Sequence, residues 1–276
     1  MEPAEFRALC KQKKVCVLVP TYNNEKTVGQ VVRDVLDYTD QVIVVNDGAT
    51  DTTPQILQQF PQIDLVSYLP NRGKGYGLRQ GFKRAVEAGY DYAITIDSDG
   101  QHFAADLPKF MHALAEHPHA VIIGARNMEQ ASVPGKSSFG NKFSNFWFWV
   151  ETGLKRNDTQ SGYRLYPVKA LQGITFITRK FEFEIEVLVR ASWRGIDMAE
   201  VPVKVFYATR EERVSHFRPF KDFTRISILN TVLVTIAFLY IKPRDFFRSF
   251  KKKISVSSSA NNSSVHMNPT GSKPSL

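Results

Sequence analysis

A chain of 276 residues, 43% of them hydrophobic, is long enough for one sizeable α/β domain with an appendage and too long for a minimal binding module. Its net charge of +9 calls for an anionic partner, of which nucleic acid, a nucleotide-linked substrate and an acidic membrane surface all fit the sign. Only two cysteines are present, Cys10 and Cys16, which excludes a disulfide framework and a cysteine-based zinc site.

In chain order, Met1 to Lys14 is polar and charged and lacks the apolar centre of a signal peptide. With so few cysteines, this makes a reducing, cytoplasm-facing location the expectation. Val15–Val19 is an apolar run closed by Pro20, as expected of a buried parallel strand, with Cys16 as a small core residue. Val28, Val31, Val32, Val35 and Leu36 then fall on one face of a helix. Val42–Val45 predicts a second strand, closed by the turn residues Asn46-Asp47-Gly48. Thr52 to Phe60 predicts a short helix, Asp64–Leu69 a third strand and Gly73 to Gly89 a helix after a glycine-rich start. Tyr92–Ile96 and Ala120–Gly124 are further strands, separated by a helix around Leu107–Leu114. Alternating strands and helices imply right-handed crossovers and an α/β fold with a mostly parallel sheet flanked by helices.

After Arg126 the pattern changes. Gly135 to Gly153 is rich in aromatics and poor in acids. A polar loop, Asn157 to Arg164, leads to an amphipathic helix, Phe181 to Trp193, and a short strand, Glu200–Tyr207. A basic loop (Arg210, Arg213, His216, Arg218) precedes Ile226 to Ile241, which is almost wholly apolar. At 16 residues this run is shorter than the roughly 20 a spanning helix needs, so it either lies in the interface or spans with help from its neighbours. Between Lys242 and Lys253 six basic residues face one acid, Asp245, which points to a membrane surface rather than a duplex. Ser255 to Leu276 is rich in Ser and Asn, a composition expected to be disordered. The resulting division is an N-terminal extension (1–14), a catalytic domain (15–218), an apolar and basic membrane-associated segment (219–253) and a tail (254–276).

In open α/β sheets ligands bind beyond the carboxyl ends of the strands. Three polar clusters fall on that edge: Pro20 to Glu25, Asn46 to Gly48, and Asp97-Ser98-Asp99-Gly100-Gln101-His102. Asp97 and Asp99, at i and i+2 past a buried strand, can both reach one divalent cation. Mg²⁺ or Mn²⁺ favours such oxygens, and Gln101 supplies another. Taken alone, the cluster also reads as a solvated turn. Asp47 can accept hydrogen bonds from the N–H edge of a base, or simply belong to a turn in which Asp51 caps the next helix. Gly73-Lys74-Gly75-Tyr76-Gly77 matches neither GxxxxGK[ST] nor GxGxxG, which disfavours a P-loop ATPase and a Rossmann dehydrogenase. Lys74 at a helix start still suits a phosphate.

With these clusters assembled, the chain resembles the family-2 glycosyltransferases of the GT-A fold. The matching runs are Val17 to Asn23, Val44 to Asp51, Asn71 to Gly75 and Asp97 to His102. Asp158 to Arg164 and Ser215 to Phe220 bring it nearest the dolichyl-phosphate mannose synthase branch, and the likeness covers about Val15 to Ile241. It implies a GT-A, Rossmann-like sheet with C-terminal amphipathic, membrane-associated helices. It also implies that Pro20, Tyr22 and Asp47 hold the nucleotide, and that Asp97, Ser98 and Asp99 line the donor diphosphate. Asp99 and Gln101, with Asp97, would reach the metal, and Asp99 would be the catalytic aspartate. Arg126 would sit near the sugar, Gln160, Ser161 and Arg164 near the acceptor, and Arg213 and His216 on a loop over the diphosphate. Asn24 departs from the pattern, standing where many members carry Glu, with Glu25 one place later as its candidate substitute.

The function expected is inverting transfer of a hexose from GDP-mannose or UDP-glucose to a polyprenyl (dolichyl or undecaprenyl) phosphate at the cytoplasmic membrane face. The acceptor is already an anion, so it needs no strong base. Two alternatives remain open: the same chemistry on a polysaccharide or soluble acceptor, and a non-catalytic nucleotide-sugar-binding membrane protein. A polysaccharide or soluble acceptor requires a carboxylate base, for which the Gln160–Arg164 region offers Asp158. Decay to a binding protein predicts loss of the aspartates, and both are present. Nucleic acid is disfavoured because the basic residues cluster beside the apolar run.

Overall fold

The computed structural model describes residues 1–127, 135–206 and 218–247, with 135–138 and 219 as backbone only. The expected diphosphate-loop residues Arg213 and His216, and the tail 254–276, lie outside the described residues.

The chain opens with α1 (Pro3–Lys13), then β1 (Val15–Thr21), α2 (Val28–Tyr38), β2 (Val42–Asp47), α3 (Thr53–Leu57), β3 (Asp64–Tyr68), α4 (Lys74–Glu87) and β4 (Tyr92–Thr95). Next come a 3₁₀ turn at Ala104–Asp106, α5 (Leu107–Glu116), β5 (Val121–Arg126), α6 (Gly135–Thr152), β6 (Arg164–Tyr166), α7 (Phe183–Trp193) and β7 (Met198–Val203). α8 (Pro219–Ile236) runs on through a π-helical turn at Ala237–Ile241, and the helix continues to Phe247.

The seven strands form one sheet in the order β3-β2-β1-β4-β6-β5-β7. β1 pairs in parallel with β2 on one side (Val17 opposite Val42) and with β4 on the other (Leu18 opposite Thr95). β6 runs antiparallel to both its neighbours, β4 and β5, and β5 is parallel to β7. The chain therefore winds outward from β1 to β3 and returns to place β4 on β1's other side. This reversal opens a crevice at the carboxyl ends of β1, β2 and β4.

All seven residues of β1 and all six of β2 are buried, because helices cover both faces of the sheet. Alternation divides them between two cores. Val15, Val17, Val19, Val42 and Val44 face α1, α2 and α5, with Val28, Val32 and Phe110. Cys16, Leu18, Ile43 and Val45 face α4, α7 and α8, with Phe82, Leu188 and Leu233. Both cysteines are free and buried, Cys10 as well as Cys16.

Three elements differ from the sequence reading. The expected polar loop, Asn157 to Arg164, ends in an additional strand, β6, which three residues beginning with an arginine do not signal. It forms because Arg164 is wholly buried and donates to Tyr166 Oη, Glu184 O and Thr159 O at 3.0, 2.7 and 2.9 Å. β7 begins at Met198, two residues before the expected start, because Val121 to Arg126 pair along it from there. The apolar run 226–241 is part of a longer helix, Phe220–Phe247, which is long and apolar enough to cross a membrane.

α1 falls within the stretch expected as an extension, yet Phe6 and Cys10 are fully buried, and Phe6 meets Tyr38 of α2 edge-on at 6.0 Å. Phe6→Ala should therefore cost about 3–5 kcal/mol in urea unfolding, the range for emptying an aromatic core site. A loss near zero would make α1 a peripheral appendage.

Candidate active site

The crevice holds a cavity of about 410 Å³, within the size range of small-ligand sites. Its walls come from three strand ends and two later segments. β1 contributes Pro20, Thr21, Tyr22 and Asn24; β2 contributes Asp47; the turn after β4 contributes Asp97, Ser98 and Asp99. Asn71, Gly73 and Lys74 enter from the start of α4, and Lys180, Phe181, Arg218, Asp222 and Arg225 from farther along the chain.

A buried ion triad forms the back of the cleft. Lys74 Nζ lies 2.9 Å from Asp97 Oδ1 and 3.0 Å from Glu184 Oε1, all three side chains being at least about three-quarters buried. Burial opposes charge on Lys74, but the two carboxylates outweigh it and raise its pKa. Burial likewise opposes charge on Asp97, and the Lys74 ammonium outweighs it, holding the carboxyl below its ordinary range. The triad fits because residue 162 is glycine. A Cβ there would stand 2.6 Å from Asp97 Oδ2 and 3.0 Å from both Glu184 Oε1 and Lys74 Nζ.

Asp47 is held by the loop after β3. Its Oδ1 accepts from Arg72 N at 2.8 Å, and its Oδ2 from Gly73 N at 2.7 Å and Asn71 Nδ2 at 2.9 Å. Burial pushes its carboxyl above the usual range, against the pull of the Arg72 and Gly73 amides. The two loops meet at Gly48, whose φ of +70° and 2.4 Å approach of a built Cβ to Asn71 N admit no side chain. The acidic turn is tied to β1's loop: Asn24 Nδ2 donates to Ser98 Oγ and Thr27 Oγ1 to Ser98 O, both at 2.6 Å. Asp99 Oδ1 accepts from Gln101 N at 3.0 Å, which closes the turn.

Of the residues expected at the site, Pro20, Tyr22, Asp47, Lys74, Asp97, Ser98 and Asp99 line the cavity together. Glu25, Gln101, Arg126, Gln160, Ser161 and Arg164 are not among its lining residues. Glu25 turns away to α3, where Thr52 N and Oγ1 donate to it at 3.1 and 2.7 Å and hold its carboxyl below the ordinary range. Asn24 takes the place at the wall instead, and its buried Oδ1 meets no donor among the described residues. Arg126 grips Asp158 at 2.6 and 2.9 Å, and Asp158 also accepts from the backbone N–H groups of Arg126, Gln160 and Ser161. Arg164 spends its donors inside the core, as described above. His102 is buried beside Tyr163, their rings 5.0 Å apart, and burial lowers its pKa to about 4.

The donor set bears on a metal. Among the described residues no group of three or more His, Cys, Asp or Glu side chains is arranged to hold one. Asp97 is committed to Lys74, and Asp99 is the second carboxylate that the acidic turn brings to the cavity. A hard cation that takes one or two carboxylates and completes its shell with substrate phosphates and water fits that supply, whereas an all-protein cage does not.

Sequence reasoning missed Lys180, Phe181, Asp222, Arg225 and Glu184. None lies at a strand end, and no local pattern marks them.

Comparison with known proteins places this geometry. The family model described as glycosyl transferase family 2 matches residues 16–174. A UDP-N-acetylglucosamine–dolichyl-phosphate N-acetylglucosaminyltransferase of Methanococcus voltae is 27% identical over 71% of this chain and 86% of its own length. An undecaprenyl-phosphate mannosyltransferase of Micrococcus luteus is 25% identical over 69% of this chain and 82% of its own. In structure, glucosyl-3-phosphoglycerate synthase from Mycobacterium tuberculosis, in a complex with Mn²⁺, UDP-glucose and phosphoglyceric acid, superposes with a TM-score of 0.65 at 18% identity. That match covers 86% of this chain and 84% of the other, and it shows a shared fold, GT-A.

The triad gives a pH signature. Asp97, with its pKa lowered by folding, stabilises fully above 3.8 and loses that contribution as pH falls through its folded value. Lys74, with its pKa raised, stabilises below 10.5 and loses its contribution as pH rises through its folded value. Lys74→Met leaves two carboxylates without their cation, so it should cost about 3 kcal/mol at neutral pH, the lower end for a broken buried pair. In the variant, burial and the mutual repulsion of the two carboxylates raise their pKa, so the pair takes up a proton above the ordinary carboxylate range, and by about pH 4 the gap to the parent should have narrowed. Urea unfolding at both pH values checks this, and a gap that does not change with pH rules out the electrostatic account.

Proposed function

The chain belongs to glycosyl transferase family 2, and from that premise we propose that it transfers a hexose from a nucleotide sugar to a polyprenyl phosphate at the cytoplasmic face of a membrane. GDP-mannose and UDP-glucose are the first donors to consider, and the N-acetylglucosaminyl and mannosyl relatives widen the sugars worth testing. The observation that carries the reading is the composition of the cleft. Its strand-end side offers Asp97, Ser98 and Asp99, and its remaining cations, Lys180, Arg218 and Arg225, include two at the start of a long apolar helix.

In this reading Pro20, Tyr22 and Asp47 seat the nucleoside, with Asn24 offering its open amide oxygen to a hydroxyl or N–H of the donor. Asp97 and Ser98 lie along the diphosphate, and Lys74 keeps Asp97 ionised and in place. Asp99 is the residue that would hold Mg²⁺ or Mn²⁺, with Gln101 closing the turn behind it through its amide. Bound there, a divalent cation supplies charge neutralisation to the diphosphate oxygens. Arg218 and Arg225 donate to phosphate oxygens, and Arg213 and His216 are proposed to join them from the segment that precedes Arg218. Arg126, Gln160, Ser161 and Arg164 act as a scaffold behind the cleft: Arg126 fixes Asp158, and Asp158 fixes the turn that carries Gln160 and Ser161.

Transfer is a displacement at the anomeric carbon. An acceptor phosphate oxygen forms the new bond on one face as the bond to the donor diphosphate breaks on the other. The sugar inverts, and the electron pair leaves with the nucleoside diphosphate. The attacking oxygen carries no proton to remove at pH 7, so the cleft needs no strong base. Commitment of the carboxylates supports that acceptor over a neutral hydroxyl. Asp158 is wholly buried on Arg126 and backbone amides, and Asp47, Asp97 and Asp222 each already bind cations or N–H groups.

The test is to incubate the purified chain with polyprenyl phosphate, Mg²⁺ or Mn²⁺ and a panel of radiolabelled nucleotide sugars, and then extract the lipid. Label should enter the lipid phase with at least one donor and disappear with EDTA. A lipid phase unlabelled by every donor sinks the reading. Asp99→Ala should lower kcat by about 10²-fold or more, as loss of a group acting on developing charge does, with the unfolding midpoint unchanged. Near-normal turnover would remove the metal role from Asp99.

A further inference from the structure

Two glycines flank Lys74 at the start of α4, and the segment that precedes α7 packs into the space they leave. A Cβ on Gly73 would stand 2.7 Å from Arg179 O and 2.8 Å from Lys180 Cγ. One on Gly75 would stand 2.7 Å from Lys180 O and would overlap Phe183 Cβ. No side chain fits at either position, so the glycine pair is a socket that admits backbone against backbone. Tyr76 N donates to Arg179 O at 2.9 Å across this contact, and Arg79 Nη1 to Phe176 O at 3.2 Å. The Phe176 ring meets Phe183 of α7 edge-on at 5.2 Å.

From the α7 side a carboxylate grips the same segment. Glu186 is wholly buried and accepts from Ile177 N at 3.0 Å, from Thr178 N at 2.9 Å and from Thr178 Oγ1. Arg190, one turn along α7, donates to it at 2.6 Å and neutralises it. A buried carboxylate is costly unless it is paired and hydrogen-bonded. Here all its donors but that of Arg190 come from Ile177 and Thr178, which belong to no helix or strand. Two residues farther on, Lys180 lines the cavity beside Phe181. Lys74 is held by two carboxylates, whereas Lys180 is exposed to the cleft and makes no ion pair among the described residues.

We propose that residues 173–181 form a fixed strap that presents Lys180 to a phosphate group in the cleft, with Glu186 as the positioning residue that holds the strap. An ammonium with three donors and no protein partner suits a point-charge contact with phosphate oxygens. A lysine that merely meets solvent needs neither a glycine socket nor a buried carboxylate behind it. The inference deepens the function proposed above and rests on its two anionic substrates, the donor diphosphate and the acceptor phosphate. It also gives the glycines around Lys74 a use distinct from a phosphate loop: they seat a second lysine opposite the first.

Calorimetric titration of the full chain with UDP, GDP and a short-chain polyprenyl phosphate, each with Mg²⁺, tests this without requiring turnover. Lys180→Ala should weaken one ligand class by about tenfold, the loss of one charge-assisted contact, with the unfolding midpoint unchanged. Weaker nucleoside diphosphate binding assigns Lys180 to the donor, and weaker lipid phosphate binding assigns it to the acceptor. Lys180→Arg should restore most of the affinity. Affinities unchanged by Lys180→Ala for all three ligands overturn the proposal. Glu186→Gln should weaken the same class, and combining it with Lys180→Ala should weaken binding no further than Lys180→Ala alone. Additive losses overturn the positioning role. Thr178→Val removes a single donor to Glu186 and gives the same comparison in a milder variant. Trypsin cleavage after Arg179, followed by mass spectrometry, should quicken in both variants, and unchanged cleavage overturns the strap. Transfer to polyprenyl phosphate is assayed in parallel. Binding that depends on Lys180 with no transfer refutes the proposed function alone. Transfer with affinities indifferent to Lys180 refutes the strap alone, and a parent chain that binds none of the three ligands overturns both.

Discussion

The site depends on one buried cation. Lys74 at the start of α4 meets Asp97 beyond β4 and Glu184 in the first turn of α7, so three elements far apart in sequence converge on a single ammonium. A carboxylate is costly to bury alone, and a pair is costlier still. The lysine is what lets the acidic turn sit against the sheet edge as charged groups. Gly162 leaves the space for the triad, and the residue after next, Arg164, donates to the carbonyl of Glu184. The short β6 and the triad therefore hold each other in register, which explains why an antiparallel strand of three residues persists between β4 and β5.

The sheet was legible for a simple reason. A strand buried on both faces must be apolar throughout, so Val15–Val19 and Val42–Val45 stand out within a charged chain. The polar residues that follow each run mark the edge where ligands collect, and that placed Asp47 and Asp97 to Asp99 on one cleft. What stayed hidden was set by tertiary partners. Asp158 and Arg164 read as polar loop residues, yet both are fully buried because each finds enough partners inside the domain to replace water. Glu25 looked like the natural substitute for the glutamate missing at position 24. Its backbone leads into a turn where Thr52 offers two donors, so the side chain points to α3 and the shorter Asn24 is left at the wall. Spacing along the chain cannot foresee such competition between partners.

Apolar composition has more than one source in the C-terminal helix. A run of apolar residues reports that water is excluded, not what excludes it. Here the exclusion has two sources at once: the stripe from Ile226 to Ile241 packs on the domain, and the face bearing Ile228, Val232 and Leu239 stays open. A helix with apolar residues on both sides has the composition of a span even where one side is packed on protein.

The same helix reaches the cleft with its first turn. Asp222, nearly fully buried, accepts from Arg218 N at 2.7 Å and from Arg225 Nη1 at 3.2 Å, so it closes the first turn and orients a cation toward the cleft in one arrangement. An acid in that turn also complements the helix dipole. The cations proposed for phosphate are consequently held by a segment whose position is fixed by Leu229 and Leu233 in the core. Packing of the helix and geometry of the cleft then cannot vary independently.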